Sequence, residues 1–284
     1  MALIVVIAVM SGFGKDLRDK ILGTNSHVVV TNINREMVKN YEDVLRQVKE
    51  VDGVTAAAPF IMNQVMLIHE DSVSGIVVRG VNPELEATVS DLEKNLITGT
   101  LEQLTTRPRA ENGKPSVKNR RDSIILGKEL SRRVGAISGD IVSMVSPVSR
   151  ITPVGLIPRM KLFKVVGIFE TGMYEYDSNL AFISIKAAQK FFSMKDGVSG
   201  IEIRVADIEQ AGVIASELQE KLGFPYFARD WMRMNRNLFS ALKLEKVVMF
   251  IILILIIFVA AFNIISTLFM LVMEKSKEIA VLKS

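Results

Sequence analysis

The sequence has no cysteine in 284 residues, and it has only two histidines and one tryptophan. The missing cysteines exclude disulfide frameworks, thiolate metal sites and cysteine nucleophiles, which is compatible with a domain outside the cytoplasm that needs no disulfide. The chain also lacks a G-x-x-x-x-G-K-[S/T] phosphate loop and a G-x-S-x-G nucleophile turn. We therefore predict no catalytic residues, and any ATP that drives this chain must be hydrolysed by a partner.

Metal and nucleic-acid sites have equally little support. His27 and His69 lie far apart, and neither has the spacing of a metal motif such as H-E-x-x-H. His69 precedes Glu70 and Asp71, three side chains that a metal accepts in principle, but a solvated hairpin tip is the stronger interpretation. The net charge is only +4 and the basic residues are not interleaved with aromatics. We predict neither a metal nor nucleic acid as a ligand.

What the chain does have is a long run without charge, from Val247 to Met273. At 1.5 Å per residue this run gives a helix of roughly 40 Å, enough to cross a bilayer core of about 30 Å. We interpret 247–273 as a transmembrane helix, preceded by an amphipathic stalk at 229–246; the alternative is a buried helix of a large soluble protein. Basic residues flank both ends of the run, so charge does not set the orientation.

The ends of the sequence predict a fragment of a longer membrane protein. The first ten residues are apolar but too short to span a bilayer, and they lack the basic start of a signal peptide. We expect 1–23 to be the end of a first transmembrane helix with its extension. Residues 274–284 stop within a helical pattern without a capping residue.

Between these segments, 24–228 reads as a soluble domain in which strands and helices alternate. A polar, basic loop is expected at 107–121. No glycine-rich nucleotide fingerprint accompanies the alternation, so we predict an α+β domain of two lobes. Strands are expected at 27–33, 55–70, 74–81, 123–127, 140–146, 162–170, 179–185 and 200–206, and helices at 35–50, 82–96, 128–136, 186–194 and 208–222.

A proline-rich excursion at 147–161 is the most informative soluble segment. Its three prolines each remove a backbone donor, which argues against regular pairing inside a sheet. Its apolar residues, among them Ile151, Leu156 and Met160, would be exposed on a stiff arm. Such an arm suits the capture of a partner, because little order is gained on binding. A structural loop folded back on its own domain explains the composition equally well.

Three segments together resemble a known family. They are the opening IAVMSGFGKDLRDKILG, the arm TPVGLIP and the combination of AAFNIIS with MEKSKEIAVLK. In order and over nearly the whole chain they are similar to LolC/LolE-type permease subunits of the lipoprotein-releasing ABC transporter. The segment IILGKELSRRVG is shared more widely with the MacB-like permease superfamily.

The resemblance implies a four-helix inner-membrane permease with a large periplasmic α+β domain inserted between its first two transmembrane helices. Such a subunit pairs with a second permease, identical or paralogous, and with a separate ATPase that binds ATP and Mg, so this chain would need no cofactor. The family takes lipoproteins from membrane lipid and passes them to a periplasmic carrier chaperone. A hook in one subunit type captures that carrier. The implied hook residues are Pro147, Ile151, Pro153, Val154, Gly155, Leu156, Ile157, Pro158, Arg159 and Lys161.

Two further sets of residues follow for the membrane part. The segment 274–284 would begin a cytoplasmic coupling helix, with Ile279 and Leu282 on one side and charged residues largely on the others. The ATPase-coupling set is Glu274, Lys275, Glu278, Ile279 and Leu282. Candidates for a lipoprotein cavity are Phe250, Ile254, Phe258, Phe262 and Asn263, although ordinary lipid-facing or helix-packing positions explain them at least as well. The rival functions are a MacB-like efflux permease, an FtsX-like transmembrane signalling protein and, more remotely, a membrane-tethered enzyme.

Overall fold

A computed structural model describes residues 12, 26–34, 36–105, 121–152 and 155–282, without the side chains at 148–152, 155–157, 238, 239, 242 and 277–282. The chain divides into two compact units. One runs to Met234 and carries a large β-sheet, and the other includes the long helix that follows. The predicted helical extension before residue 24 and most of the predicted loop at 107–121 lie outside the described residues.

The sheet domain is built on ten described strands, in the order β10-β1-β9-β2-β3-β8-β5-β7-β4, with β6 paired to β2 and β7. Neighbours are antiparallel except for the pairs β3–β8 and β5–β7, which are parallel. The strands are β1 (Val28–Asn32), β2 (Val54–His69), β3 (Ser72–Val81), β4 (Leu96–Thr98), β5 (Asp122–Gly127), β6 (Ile141–Thr152), β7 (Gly155–Phe169), β8 (Leu180–Ser184), β9 (Gly200–Val205) and β10 (Tyr226–Asp230).

Short helices connect these strands, and one long helix follows them. The helices are α1 (Tyr41–Lys49), α2 (Pro83–Val89), α3 (Lys128–Val134), α4 (Tyr174–Asn179), α5 (Ile185–Phe192), α6 (Ala211–Leu222), α7 (Trp231–Met234) and α8 (Arg236–Leu282). Two 3-10 turns lie at Leu101–Leu104 and Ile208–Gln210. The α+β fold class predicted from the alternating pattern is confirmed.

The hydrophobic pattern explains which strands lie at the centre. Strand β5 is apolar along almost its whole length and is buried from Ser123 onward, as expected for a strand covered on both faces. Strand β2 is buried without a break from Ala57 to Ile61 and then alternates between exposed and buried positions. Its second half therefore has one solvated face, the pattern of an antiparallel hairpin. Within the core the rings of Phe169 and Phe182 meet edge-on, with their centroids 5.2 Å apart.

The proline-rich excursion is a β-hairpin. Strand β6 continues to Thr152 and β7 begins at Gly155, so the expected strand ends at 146 and 162 are wrong. The pairing shifts once, between the partners of Ser146 and Ser149, and this bulge takes up Pro147. Beyond the bulge, no third strand is paired with the hairpin among the described strands. A strand with a free edge tolerates proline because the missing N–H is not needed there.

Other boundaries differ because tertiary pairing competes with local pattern. The predicted helix at 35–50 begins only at Tyr41, since Val38 pairs with Val198 in an isolated β-bridge. The predicted helix at 82–96 ends at Val89, and its last residue becomes part of β4. The first residues of the expected stalk at 229–246 belong to the sheet domain, because β10 ends at Asp230 and Trp231 is buried.

Helix α8 contains the predicted transmembrane segment without interruption. Its stretch Lys243–Ser276 contains an 18-residue window with a mean hydropathy of 3.2 and is long and apolar enough to cross a membrane. Among the described residues, one helix meets this criterion of length and hydropathy, and it is α8. The expected coupling segment is a direct continuation of α8 rather than a separate helix, since no break occurs before Leu282.

Candidate functional site

The distal part of the β6–β7 hairpin, which we call the ribbon (residues 146–162), lies beyond the sheet pairings that hold its base. Strand β6 pairs with β2 through Ser143, Met144 and Val145, and β7 pairs with β5 from Phe163 onward. Between these limits the two strands of the ribbon are paired with each other. The ribbon is therefore a two-stranded projection whose conformation is fixed by its own ladder of hydrogen bonds.

The base of the ribbon is anchored in the core. Val142, Met144 and Phe163 are fully buried, and the Phe163 ring lies edge-on to Phe191 of α5 at 6.2 Å. Immediately beyond this anchor, Leu162 and Met160 are 45% and 66% exposed. The change from buried to exposed apolar residues within three positions marks the point where the hairpin leaves the domain.

Two of the predicted hook residues are held by the domain. Arg159 donates hydrogen bonds to the carbonyl oxygen of Phe191, at 3.0 Å, and to the hydroxyl of Ser193. These acceptors lie at the carboxyl end of α5, where a cation interacts favourably with the helix. Lys161 forms an ion pair with Asp122 of β5 and lies over the ring of Phe163. Both side chains set the direction of the ribbon as it leaves the sheet.

The other predicted hook residues follow the same hairpin. The backbone pairs Ile151 with Leu156 and Ile157 with Arg150, and Gly155 pairs with Thr152. Pro158 is exposed, whereas Pro153 and Val154 lie outside the described residues. The structure brings the predicted set into one element, and a role of that element in carrier binding stays a prediction.

The predicted coupling and cavity residues all lie on α8. Phe258 and Phe262 are in contact, with ring centroids 4.9 Å apart, and the side chains of the whole cavity set are exposed. The backbone carbonyl of Asn263 accepts a hydrogen bond from Thr267. Glu274 and Lys275 are exposed on α8. The side chains of Glu278, Ile279 and Leu282 lie outside the described ones, so both assignments stay predictions.

A buried charge cluster, which we call the triad (Arg79, Glu86 and Glu202), was missed by the sequence analysis. Arg79 of β3 forms a short ion pair with Glu202 of β9 and approaches the Glu86 carboxylate at 4.0 Å. Ser90 donates a hydrogen bond of 2.8 Å to the same Glu86 carboxylate. All three charged side chains are almost completely buried. The available signal was charge inside otherwise apolar strands, Arg79 in SGIVVRGV and Glu202 in GIEIRVA.

Burial controls the protonation of Glu86, one member of the triad. It raises the pKa of Glu86 to about 7, because the attraction of Arg79 and the Ser90 hydrogen bond only partly offset desolvation and the repulsion of Glu202. For Arg79, burial alone would lower the pKa, but the attraction of Glu202 and Glu86 outweighs it and the pKa is raised. Two carboxylates thus share one guanidinium, and Glu86 takes up a proton at a higher pH than an ordinary glutamate does.

The two histidines have structural roles. Burial and the nearby Arg204 lower the pKa of His27, whose Nδ1 accepts a hydrogen bond of 3.2 Å from the Val205 amide. His69 is not solvated as expected: its Nδ1 donates to the Val134 carbonyl at 3.0 Å and its ring is largely buried. Within the described part of the chain, no three histidine, cysteine or acidic side chains are placed to hold a metal ion.

Comparison with known proteins agrees with the resemblance carried by the sequence motifs. Residues 1–221 match the family model described as MacB-like periplasmic core domain. The chain is 36% identical over 284 residues to the lipoprotein-releasing system transmembrane protein LolC of Neisseria meningitidis serogroup B. It is 38% identical over 282 residues to LolC of Xylella fastidiosa strain Temecula1. These alignments cover 100% and 99% of this chain, but the chain spans only 65% and 64% of the length of these relatives.

Among solved structures, the periplasmic region of MacB from Actinobacillus actinomycetemcomitans is similar at 10% identity with a TM-score of 0.47, over 77% of this chain and 94% of that one. The family match together with the apolar α8 indicates a membrane protein with a periplasmic domain. The match over residues 1–221 is well over half of the chain, and the chain therefore belongs to the family of proteins with a MacB-like periplasmic core domain.

Proposed function

We propose that the chain is a large part of a permease subunit of an ABC transporter that takes lipoproteins from the bacterial inner membrane and hands them to a periplasmic carrier chaperone. The observation that carries this proposal is the similarity to LolC proteins along the whole chain, which includes the ribbon. The assignment to the hook-containing, carrier-binding type rests on the ribbon itself.

The geometry of the ribbon suits the capture of a carrier protein. Its backbone is ordered before binding by the β6–β7 ladder, and its base is tied to the core through Phe163 and Arg159. A preorganised binding element loses little conformational entropy on association. The exposed Met160 and Pro158 give it apolar surface at the point where it leaves the domain.

The other roles are divided among partners. A separate ATPase would bind and hydrolyse ATP with Mg, and its docking surface on this chain would be the end of α8 from Glu274 to Leu282. A second permease subunit, identical or paralogous, would complete the membrane cavity for the acyl chains, lined on this side by the set from Phe250 to Asn263. In this arrangement the chain contributes no catalytic step of its own.

The direct test is binding of the full chain, held in an uncharged amphipol, to the purified periplasmic lipoprotein carrier from the same organism. We expect Pro153→Gly to weaken binding by at least about fivefold through lost stiffness, and Ile157→Asp to weaken it further. Pro108→Gly and Ile97→Asp are matched controls outside the ribbon and should bind like the parent. Ile97 is exposed in the structure, so its substitution leaves the core intact.

A folded chain that does not bind the carrier would refute the carrier-binding role. The remaining candidates would then be the hookless type of permease, a MacB-like efflux permease or an FtsX-like signalling protein. Equal weakening by ribbon and control variants would also contradict the proposal, because the effect would then not be localised to the ribbon.

A further inference from the structure

A cavity of about 610 Å³ lies inside the sheet domain beside the base of the ribbon. This volume is in the range of sites that hold small molecules. One part of its wall is apolar and adaptable, with the methionine side chains Met37, Met62 and Met194 together with Phe192. Unbranched thioether side chains adjust their shape to flexible apolar ligands. The exposed Met37 and Met62 place this apolar part at the solvent-accessible side of the cavity.

The other part of the wall carries positive charge that the domain does not neutralise. Arg79 lines the cavity but is compensated by the carboxylates of the triad. Arg159 and Arg229 also line it, and in the described part of the chain neither forms an ion pair with a carboxylate. Arg159 bonds to neutral oxygens, and Arg229 lies 5.8 Å from the ring centroid of Phe227.

Both guanidinium groups keep buried donors unused. The Nε atoms of Arg159 and Arg229 are buried and have no hydrogen-bond partner in the described structure. The hydroxyl of Ser26, a residue that is only 1% exposed, is also buried without a partner and lines the same cavity. Buried donors without acceptors are costly, and a guanidinium is the side chain best shaped to bind a carboxylate or phosphate through two parallel hydrogen bonds. Glu36 also lines the cavity, but it is exposed. The buried donors of Arg159, Arg229 and Ser26 have no hydrogen bond to it.

We propose that this cavity binds an anionic amphiphile, with a phosphate or carboxylate group on Arg159 and Arg229 and an apolar chain along the methionine wall. An anion supplies acceptors for the buried donors and neutralises the two uncompensated charges. The methionines cover an apolar chain that a free inorganic anion does not have. This site shares Arg159 with the predicted hook at the base of the ribbon, but the occupation of the cavity does not require binding of the carrier.

The absence of cysteine from the sequence permits a local test. Met62→Cys, at the accessible side of the cavity, is labelled with a trifluoromethyl reagent in the full chain in an uncharged amphipol and observed by fluorine NMR. Decyl phosphate and decanoate are the probes with both features. Decan-1-ol has the chain without the charge, and inorganic phosphate has the charge without the chain. We expect the two amphiphilic anions to shift the signal at concentrations at least about tenfold lower than either control, because both parts of the ligand contribute binding energy.

Substitution of the arginines locates the site. Arg229→Gln should weaken decyl phosphate binding about tenfold or more, because a charged hydrogen-bond donor is lost. Arg229→Lys keeps the positive charge but loses the planar guanidinium that makes two parallel hydrogen bonds. Its affinity for decyl phosphate should lie between those of the parent and Arg229→Gln, which keeps the test valid if the neutral variant folds poorly. Arg132→Gln, on the exposed surface of α3, is the matched control and should change nothing.

Equal binding of decanol and decyl phosphate would overturn the anionic part of the proposal. Equal binding of inorganic phosphate and decyl phosphate would overturn the amphiphilic part. Parent-like affinity in both Arg229 variants would overturn the location. None of these measurements involves the carrier protein, so their failure is distinguishable from a failure of the proposed lipoprotein handover.

Discussion

At the scale of single residues, the triad places two carboxylates and one guanidinium where almost no water reaches them. Such an arrangement is costly when one partner is removed and less costly when all are replaced together. The three residues come from β3, α2 and β9, so the cluster ties distant parts of the chain together. Its energetics are therefore a sensitive probe of the folded sheet domain.

The raised pKa of Glu86 makes the stability of the domain depend on pH. The folded state holds the proton up to about pH 7, whereas an unfolded glutamate releases it near 4.5. Because the folded state then binds more protons between these values, the free energy of unfolding falls as the pH rises through this window and is lowest above it. A difference of one proton is worth about 1.4 kcal/mol per pH unit, so the loss reaches up to about 3 kcal/mol.

Glu86→Gln should remove most of this dependence. The amide oxygen keeps an acceptor for Ser90, while Arg79 keeps its pair with Glu202. Chemical unfolding of the full chain in amphipol at pH 5 and pH 8 measures the effect. Glu84 is exposed on the same helix, so Glu84→Gln is the control. It should retain the parental change in unfolding free energy between pH 5 and pH 8. A Glu86→Gln variant with that same change would contradict the assignment.

Removal of the Arg79 guanidinium alone should lower the free energy of unfolding far more than removal of the whole ion pair. Arg79→Met leaves two buried carboxylates facing each other, and we expect a loss of about 3–5 kcal/mol in the free energy of unfolding. The double variant Arg79→Met with Glu202→Leu should recover a large part of that loss. A double-mutant cycle with Glu202→Leu alone measures the coupling, and simple additivity of the two changes would refute it.

At the scale of elements, the β6–β7 hairpin has a rigid base and a projecting end. The base is held by packing at Phe163, by Arg159 on the end of α5 and by the pair of Lys161 with Asp122. The bulge beside Pro147 lies at the start of the ribbon, just after β6 has left its pairing with β2. Anchored and projecting residues therefore alternate within a few positions of the same strand.

Neighbouring substitutions in β7 should differ sharply. Phe163→Ala removes a fully buried ring and should cost roughly 3–5 kcal/mol of unfolding free energy. Leu162→Ala, one residue earlier and on the exposed face, should change it by less than about 0.5 kcal/mol. Thermal or chemical unfolding of the two variants side by side measures this contrast, and equal losses would show that the base is not where the structure has it.

At the scale of the whole molecule, sequence reasoning succeeded where the signal is local. The uncharged run predicted α8, and the alternating apolar residues predicted the β2–β3 hairpin. It failed where a distant partner decides the outcome: Val38 forms a bridge with Val198, and Arg79 pairs with Glu202, more than 100 residues away. Strand β10 was missed because the charged Arg229 and Asp230 near its end read as the start of a stalk.

The candidate site shows the same division. Its prolines and apolar residues located the arm between 147 and 161. The regular pairing of that arm was missed, because proline is an exclusion signal for a strand inside a sheet but not for one with a free edge. Arg159 donates a hydrogen bond to Phe191 of α5, more than 30 positions away, and no residue near Arg159 in the sequence predicts this contact.

The proposed transport function gives α8 a mechanical requirement that is testable in the assembled transporter. The double variant Ile264→Gly with Ile265→Gly should slow ATP-driven lipoprotein release by roughly five- to thirtyfold. Each glycine destabilises a helix by about 1 kcal/mol relative to alanine, and we expect this loss to raise the barrier to release. The same pair replaced with alanine removes similar volume but keeps a strong helix former, and it is the matched control. Equal release rates for the glycine and alanine pairs would show that helix continuity is not required.

Helix α8 has 47 residues without a single glycine or proline. At 1.5 Å per residue it is about 70 Å long, more than twice the roughly 30 Å hydrocarbon core of a bilayer. Sharp kinks in helices arise mainly at proline, glycine or an inserted π-turn, and α8 offers no proline or glycine for one. Helix α8 therefore has no proline or glycine hinge, and a rotation imposed on one of its ends is transmitted to the other.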